Sequence, residues 1–103
     1  MTTRHLVMFR RLADVPADAA NEADLMARLD ALGSAIAGIE SWRVAANEHD
    51  RPVCWDHVLE ADLTDDAALA TYLAHPEHQA LLPDLRAYFD MAVVDYATGG
   101  PHE

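Results

Sequence analysis

The sequence predicts an α+β fold of the ferredoxin-like type, with an antiparallel four-stranded sheet and helices on one face in the order βαββαβ. Four short β-prone runs alternate with two segments of helical spacing, and no linker or repeat interrupts them. The 103 residues, 51% of them hydrophobic, suffice for one domain with one buried core. We therefore expect a single domain over residues 1–103 that ends in a flexible tail at 98–103.

The first strand is predicted over residues 4–12, and a long helix follows it. Pro16 and Asp18 fit the first helical turn, because proline needs no N–H partner there and a carboxylate meets the positive helix end. Gly38 is predicted to end the helix. Apolar residues recur at intervals of four and three along one face of this helix, namely Leu25, Leu29, Leu32 and Ile36.

Two further strands are predicted over residues 39–46 and 53–63, joined by a polar hairpin loop. Thr64 fits the cap of a second helix. His75 ends that helix, because the residue before a proline avoids the helical region.

The last part of the chain is predicted to hold a short helix, one further turn and the last strand. The helix runs from Pro76 through Leu82, since proline suits a first turn. The further turn spans residues 84–88, and the strand covers residues 89–96.

The predicted strands are apolar on both faces. In the first strand His5, Val7 and Phe9 alternate with Leu6 and Met8. A sheet with one face in water alternates apolar with polar residues, and the predicted helices cover only one face. A second copy of the chain is the expected cover, so we predict a homodimer whose sheets pack in a dimeric α/β barrel. The second face is predicted to include Leu6, Met8, Trp42, Val44, Ala92, Val94 and Tyr96.

Charge and cysteine content exclude several classes of function. Eighteen Asp and Glu against seven Lys and Arg give a net charge of −11, which repels nucleic acid and anionic membranes. The longest apolar stretches, such as residues 91–94, are too short to span a bilayer. Cys54 alone cannot form an intrachain disulfide, and no evident neighbour activates its thiol. We expect a cytoplasmic protein without nucleic-acid or membrane partners.

Histidine and tyrosine residues carry the candidate chemistry. His5 and His57 share the parity of apolar strand neighbours and are predicted to point into the helix-covered core. Tyr72 lies on the second helix, while His75 and His78 flank the proline after it, and spacing alone leaves open whether Tyr72 meets His78. A neutral imidazole accepts a proton and a phenol donates to an oxyanion. Convergence of these groups on one cavity therefore predicts a general acid–base site.

Other interpretations of the same residues stay open. An inward histidine is often a hydrogen-bonded core residue, and His75 can cap the helix after it. The run from His75 to His78 offers two imidazoles and a carboxylate. The proline interrupts the helix, however, so these side chains do not share one helix face as the ligands of a helical zinc site do. No metal is predicted.

The segments His5-Leu-Val-Met-Phe9, Asp56-His-Val-Leu-Glu60 and Tyr72-Leu-Ala-His75-Pro-Glu-His78 resemble the stress-responsive α/β-barrel (Dabb) domain family. The resemblance covers about residues 4–97, and the Tyr-x-x-His-Pro-x-His run is its specific part. It implies a ferredoxin-like protomer and a dimer whose two sheets form a barrel.

The resemblance also implies a function and the residues that perform it. The family includes a plant polyketide cyclase, which implies His78 as general base, Tyr72 as carbonyl donor, and His5 and His57 as further site residues, with no cofactor. We expect a lyase, cyclase or isomerase that binds a small apolar or aromatic keto acid. The alternatives are a non-catalytic dimeric stress-associated protein and a cofactor-free oxygenase. The expected substrate-binding wall consists of Val7, Phe9, Leu25, Leu29, Trp55, Leu59 and Val93.

Overall fold

The computed structural model describes residues 1–98, which form one sheet covered by helices on one face. Along the chain the elements are β1 (Thr3–Arg11), α1 (Ala19–Ala35), β2 (Ile39–Ala46), β3 (His57–Leu63), α2 (Asp66–Ala74), α3 (Pro76–Arg86) and β4 (Phe89–Ala97). The strands lie in the order β2-β3-β1-β4, and every neighbouring pair is antiparallel. The predicted ferredoxin-like class is confirmed. The predicted tail lies, from residue 99 onward, outside the described residues.

Helix α1 is shorter at both ends than predicted. Asp18 has an extended backbone and caps the helix, its carboxylate accepting the Asn21 N–H at 3.0 Å, so Pro16 and Asp18 precede the first turn. The helix ends at Ala35, and Gly38 follows in a turn whose φ of 91° favours glycine. The predicted apolar face is buried, as expected: Leu25, Leu29, Leu32 and Ile36.

Strand β3 begins at His57, four residues later than predicted. The preceding residues form a turn in which the Cys54 N–H donates to the Arg51 carbonyl at 3.0 Å, and Val53 is 71% exposed. Trp55 consequently lies outside the strand, where the guanidinium of Arg10 sits 4.4 Å from the centroid of its ring.

The second helix and the third meet at a proline break. Asp65 caps α2 instead of the predicted Thr64, because its side chain accepts the Ala68 N–H at 2.8 Å. His75 ends α2 as predicted. Helix α3 is one continuous helix, whereas a short helix and a separate turn were predicted, since backbone hydrogen bonding resumes after Pro83.

Strand β2 corrects one assignment of faces. A bulge between Ile39 and Ser41 inserts an extra residue, which reverses the side-chain alternation of the rest of the strand. Trp42 and Val44 therefore face the helices and pack against the core, although they were predicted on the opposite face. Trp42 lies against Gly33, where an added Cβ would come within 2.3 Å of the indole Cγ.

The face of the sheet away from the helices carries a group of apolar side chains. Leu6 pairs with Val94 and Met8 with Ala92 across the central strands, as the alternation predicts. Met8, Val94 and Tyr96 are 43%, 56% and 43% exposed. No helix within residues 1–98 is both long and apolar enough to cross a membrane.

Candidate functional site

A cavity of about 540 Å³ lies between the sheet and helix α3. Its volume falls in the range of small-molecule sites. Three of the four predicted catalytic side chains line it: His5 from β1, Tyr72 from α2 and His78 from α3. The predicted wall residues that also line it are Val7, Phe9, Leu29, Leu59 and Val93.

Tyr72 occupies the centre of this polar group. Its ring contacts those of His5 and His78 with centroids 5.7 and 4.5 Å apart, and Trp42 packs edge-on at 5.6 Å. The residue is 1% exposed, and none of the side-chain hydrogen bonds within residues 1–98 involves its hydroxyl. The buried polar atom without a partner in that part of the chain is Nε1 of Trp42, the ring that packs on Tyr72. Burial raises the pKa of Tyr72, so the phenol keeps its proton at neutral pH and is free to donate it.

His78 is held by a backbone carbonyl that the helix break leaves free. The ring Nδ1 lies 2.9 Å from the Leu73 carbonyl oxygen, which also accepts from the Gln79 side chain at 2.6 Å. A carbonyl only accepts, so the proton of the neutral ring sits on Nδ1 and Nε2 is left as a base. Burial is the main cause that lowers the pKa of His78; nearby positive charge adds to it, and the hydrogen bond with the Leu73 carbonyl acts against it.

His5 has an acidic partner that the sequence analysis did not single out. Its Nδ1 lies 2.5 Å from Oδ1 of Asp95, the residue directly opposite it in the β1–β4 register. The carboxylate accepts the Nδ1 proton and leaves Nε2 free. The sequence contains a sign of this position, because Asp95 alternates in phase with Met91 and Val93 and so lies on the same face of the strand.

His57 does not join the other three side chains. Antiparallel pairing places His57 opposite Phe9 and His5 opposite Ala61, so four residues separate the two histidines along the sheet. His57 instead pairs through Nε2 with Glu22 at 2.5 Å, and Glu22 accepts the Tyr88 hydroxyl at 2.9 Å. The expectation of one cavity bordered by both strand histidines is therefore wrong for His57.

Two predicted wall residues also lie elsewhere. Leu25 is 1% exposed but belongs to the core, outside the cavity lining. Trp55 stands apart with Arg10, because it precedes the strand. His75 caps α3, its Nδ1 accepting the Glu77 N–H at 3.1 Å. Across residues 1–98, no three His, Cys, Asp or Glu side chains are grouped as metal ligands.

The fold and cavity define an α+β ferredoxin-like protein with a histidine–tyrosine site under its helices. The chain belongs to the stress responsive A/B barrel domain (Dabb) family, whose model matches residues 3–98. It is 33% identical to an uncharacterized protein of Streptomyces coelicolor over 93 residues, which are 90% of this chain and 96% of that protein.

Solved structures share the fold over nearly the whole chain. A dimeric ferredoxin-like protein of unknown function from Jannaschia sp. is 26% identical, with a TM-score of 0.78 over 95% of this chain and 100% of that one. A hydroxynitrile lyase from Passiflora edulis has 15% identity and a TM-score of 0.82, covering 99% and 97%. A cofactor-independent oxygenase from Streptomyces nogalater has 20% identity and a TM-score of 0.75, covering 99% and 98%.

Proposed function

We propose that this protein is a cofactor-free enzyme that moves a proton at the carbon next to a ketone, in a lyase, cyclase or isomerase reaction. The observation that carries the proposal is the buried residue Tyr72, whose ring lies between two imidazoles and whose hydroxyl takes part in none of the side-chain hydrogen bonds within residues 1–98. A ligand oxygen supplies the missing partner. Enolate chemistry needs only a base and a donor at matched positions.

The proposed steps use two of the free atoms of the site, Nε2 of His78 and the hydroxyl of Tyr72. Nε2 of His78 takes the proton from the α-carbon, and the C–H electron pair moves into the carbonyl to form an enolate. The Tyr72 hydroxyl donates a hydrogen bond to the enolate oxygen, an interaction that low polarity around the ring strengthens. The proton on His78 then returns to the product carbon or its leaving group.

His5 and Asp95 take a supporting part in this proposal. The carboxylate fixes the ring of His5 with Nε2 free, so that this second imidazole polarises or orients the substrate beside Tyr72. His57 is placed outside the reaction, because its pairing with Glu22 joins β3 to α1 away from the cavity.

Hydrogen–deuterium exchange tests the proposal directly. Acetophenone in heavy water exchanges its methyl protons when a base and an oxyanion donor form its enolate, and proton NMR follows the loss of signal. The wild type is expected to exceed the buffer rate, and His78→Gln to lose at least a hundredfold of that excess. Glutamine retains a donor for the Leu73 carbonyl, so the fold is expected to persist.

The matched control is His49→Gln, which removes an imidazole from an exposed loop. That variant is expected to exchange as fast as the wild type. Exchange at the buffer rate in the wild type, or equal exchange in His78→Gln, contradicts the proposal. The non-catalytic alternative requires that the histidines and Tyr72 satisfy one another, whereas Tyr72 meets His5 and His78 through ring contacts and forms no hydrogen bond with either.

We also propose a cytoplasmic homodimer in which two copies of the outer sheet face meet as a barrel. Leu6, Met8 and Val94 form a contiguous apolar area on that face. The similar Jannaschia protein is described as dimeric, which supports this arrangement. The single cysteine supports a reducing compartment.

A further inference from the structure

The charged side chains on the cavity wall are unequally paired. Asp95 is bound to His5, and the Asp90 carboxylate lies 3.4 Å from Arg10. Arg86, in the last turn of α3, lines the same wall and has no acidic partner among residues 1–98. Within residues 1–98, Arg86 is therefore the arginine of a wall that also carries the carboxylates of Asp90 and Asp95, each of which already has a partner.

Four of the seven arginines form no ion pair within residues 1–98, namely Arg11, Arg43, Arg51 and Arg86, and Arg86 is the one of these four that lines the cavity. Arg4 is bound to Asp62, and Arg28 to Asp84, with N–O distances of 2.8 and 3.0 Å. Interaction with the negative end of helix α3 accounts for a cation in the last turn. It does not account for the position of the side chain on the cavity wall.

Arg86 lies eight residues after His78 on the same helix. At a rise of 1.5 Å per residue, their Cα atoms are about 12 Å apart, and an extended guanidinium spans a good part of that distance. Its charge contributes, after burial, to the lowered pKa of His78, so the two groups are within electrostatic reach. Leu82 and Leu85 line the wall between them.

We infer that Arg86 binds the carboxylate of the substrate, which is a keto acid whose carboxylate and ketone are separated by an apolar chain. The ketone lies at Tyr72, the chain lies against Leu82 and Leu85, and the carboxylate reaches the guanidinium. This inference rests on the proposed function and adds the residue that selects the substrate.

A pair of probes that differ in one charge tests the inference by calorimetry. The probes are γ-benzoylbutyrate, an aryl ketone with its carboxylate three methylene groups away, and its methyl ester. The wild type is expected to bind the acid about tenfold more tightly, the range for a charged hydrogen bond in a solvated position. Arg86→Gln is expected to lose this preference, and added salt to reduce it in the wild type.

The control is Arg51→Gln, which removes an exposed arginine from the loop before β3 and is expected to keep the preference. Equal binding of acid and ester by the wild type overturns the role of Arg86 and leaves the cavity as a ketone site. A preference that persists in Arg86→Gln also overturns it. If neither probe binds, the substrate class is wrong, while the acetophenone exchange decides the proposed function separately.

Discussion

The rings of Tyr72 and His78 lie with their centroids 4.5 Å apart and tilted by 53°, although a proline break separates the helices that carry them. The break changes the direction of the chain, so that the first turn of α3, with His78, faces the last turn of α2, with Tyr72. The proposed donor and the proposed base thus lie beside one cavity.

Tyr72→Phe is expected to slow acetophenone exchange at least a hundredfold while leaving the free energy of unfolding within about 0.5 kcal/mol of the wild type. None of the side-chain hydrogen bonds within residues 1–98 involves the hydroxyl, so its removal breaks no hydrogen bond of the described chain. NMR exchange rates and urea denaturation measure the two quantities. A large loss of stability with unchanged exchange speaks for a purely structural tyrosine.

Asp95→Asn is expected to slow exchange about tenfold by releasing the ring of His5. In the wild type the carboxylate accepts from Nδ1, so the proton of a neutral ring sits on that nitrogen. Nitrogen-15 NMR of the histidine rings reports this tautomer, and the variant is expected to show a mixture. Asp90→Asn serves as control, because Asp90 pairs with Arg10 instead. An unaltered His5 tautomer in Asp95→Asn removes the basis for a positioning role.

The exchange rate is expected to fall with acid only below pH 6.5 and to stay level at higher pH up to about 10. Burial lowers the pKa of His78 from its ordinary value of 6.5 and raises the pKa of Tyr72 above its ordinary value of 10.0. The base is therefore neutral and the donor protonated throughout that window. A pH–rate profile measures both limits, and an acidic limb centred above 6.5 is incompatible with His78 as the base.

The free energy of unfolding is expected to depend on the protonation of His78 as well. As pH falls below 6.5, the unfolded chain binds the His78 proton before the folded chain does, so stability present at neutral pH is lost between the two pKa values. Urea denaturation at pH values between about 5 and 8 measures the loss. His78→Gln is expected to show a shallower decline, whereas an identical decline assigns the acid sensitivity to other groups.

Val94→Asp is expected to raise the dissociation constant of the proposed dimer at least a hundredfold, because it places an uncompensated charge in the interface. Val94 is 56% exposed in the single chain and pairs with Leu6. Light scattering after gel filtration measures the mass. Ala27→Asp, on the exposed side of α1, is the control. A wild type that is monomeric throughout contradicts the dimer.

Gly33→Ala is expected to destabilise the fold by about 1–3 kcal/mol through overpacking. The added Cβ would lie 2.3 Å from Cγ of Trp42, so the indole that packs on Tyr72 has to move. Ser34→Ala, at the neighbouring exposed position, is expected to change stability little. Thermal unfolding compares the two variants. Equal midpoints indicate that Trp42 and strand β2 shift to accept the added methyl group without loss of stability.

The order of elements and the buried face of α1 could be predicted because both depend on local patterns. The face of Trp42 could not be, since a single inserted residue in the bulge at Ile39–Ser41 reverses the alternation of all that follow. The start of β3 was also predicted at the wrong residue. The apolar run from Val53 has strand composition, but its backbone hydrogen bonds close a local turn.

The candidate site could be predicted only in part, because a cavity depends on register as well as parity. Parity placed His5 and His57 on the helix side, and both are there. Antiparallel pairing then sets them four residues apart along the sheet, opposite Ala61 and Phe9. Strand parity puts Asp95 on the same face as Met91 and Val93, but its contact with His5 depends on the β1–β4 register, which the sequence does not give. Arg86 was missed because an exposed arginine at a helix end has no distinctive pattern in the sequence.

The Leu73 carbonyl gives the site an unusual form of evolvability. The tautomer of His78 is set by main-chain geometry at the proline break, and no side chain of the cavity wall takes part in that contact. Replacements at Leu29, Leu82 or Val93 can reshape the cavity without altering which nitrogen of the base is free. Under the proposed function, the range of substrates can therefore change by mutation while the proposed base keeps the same free nitrogen.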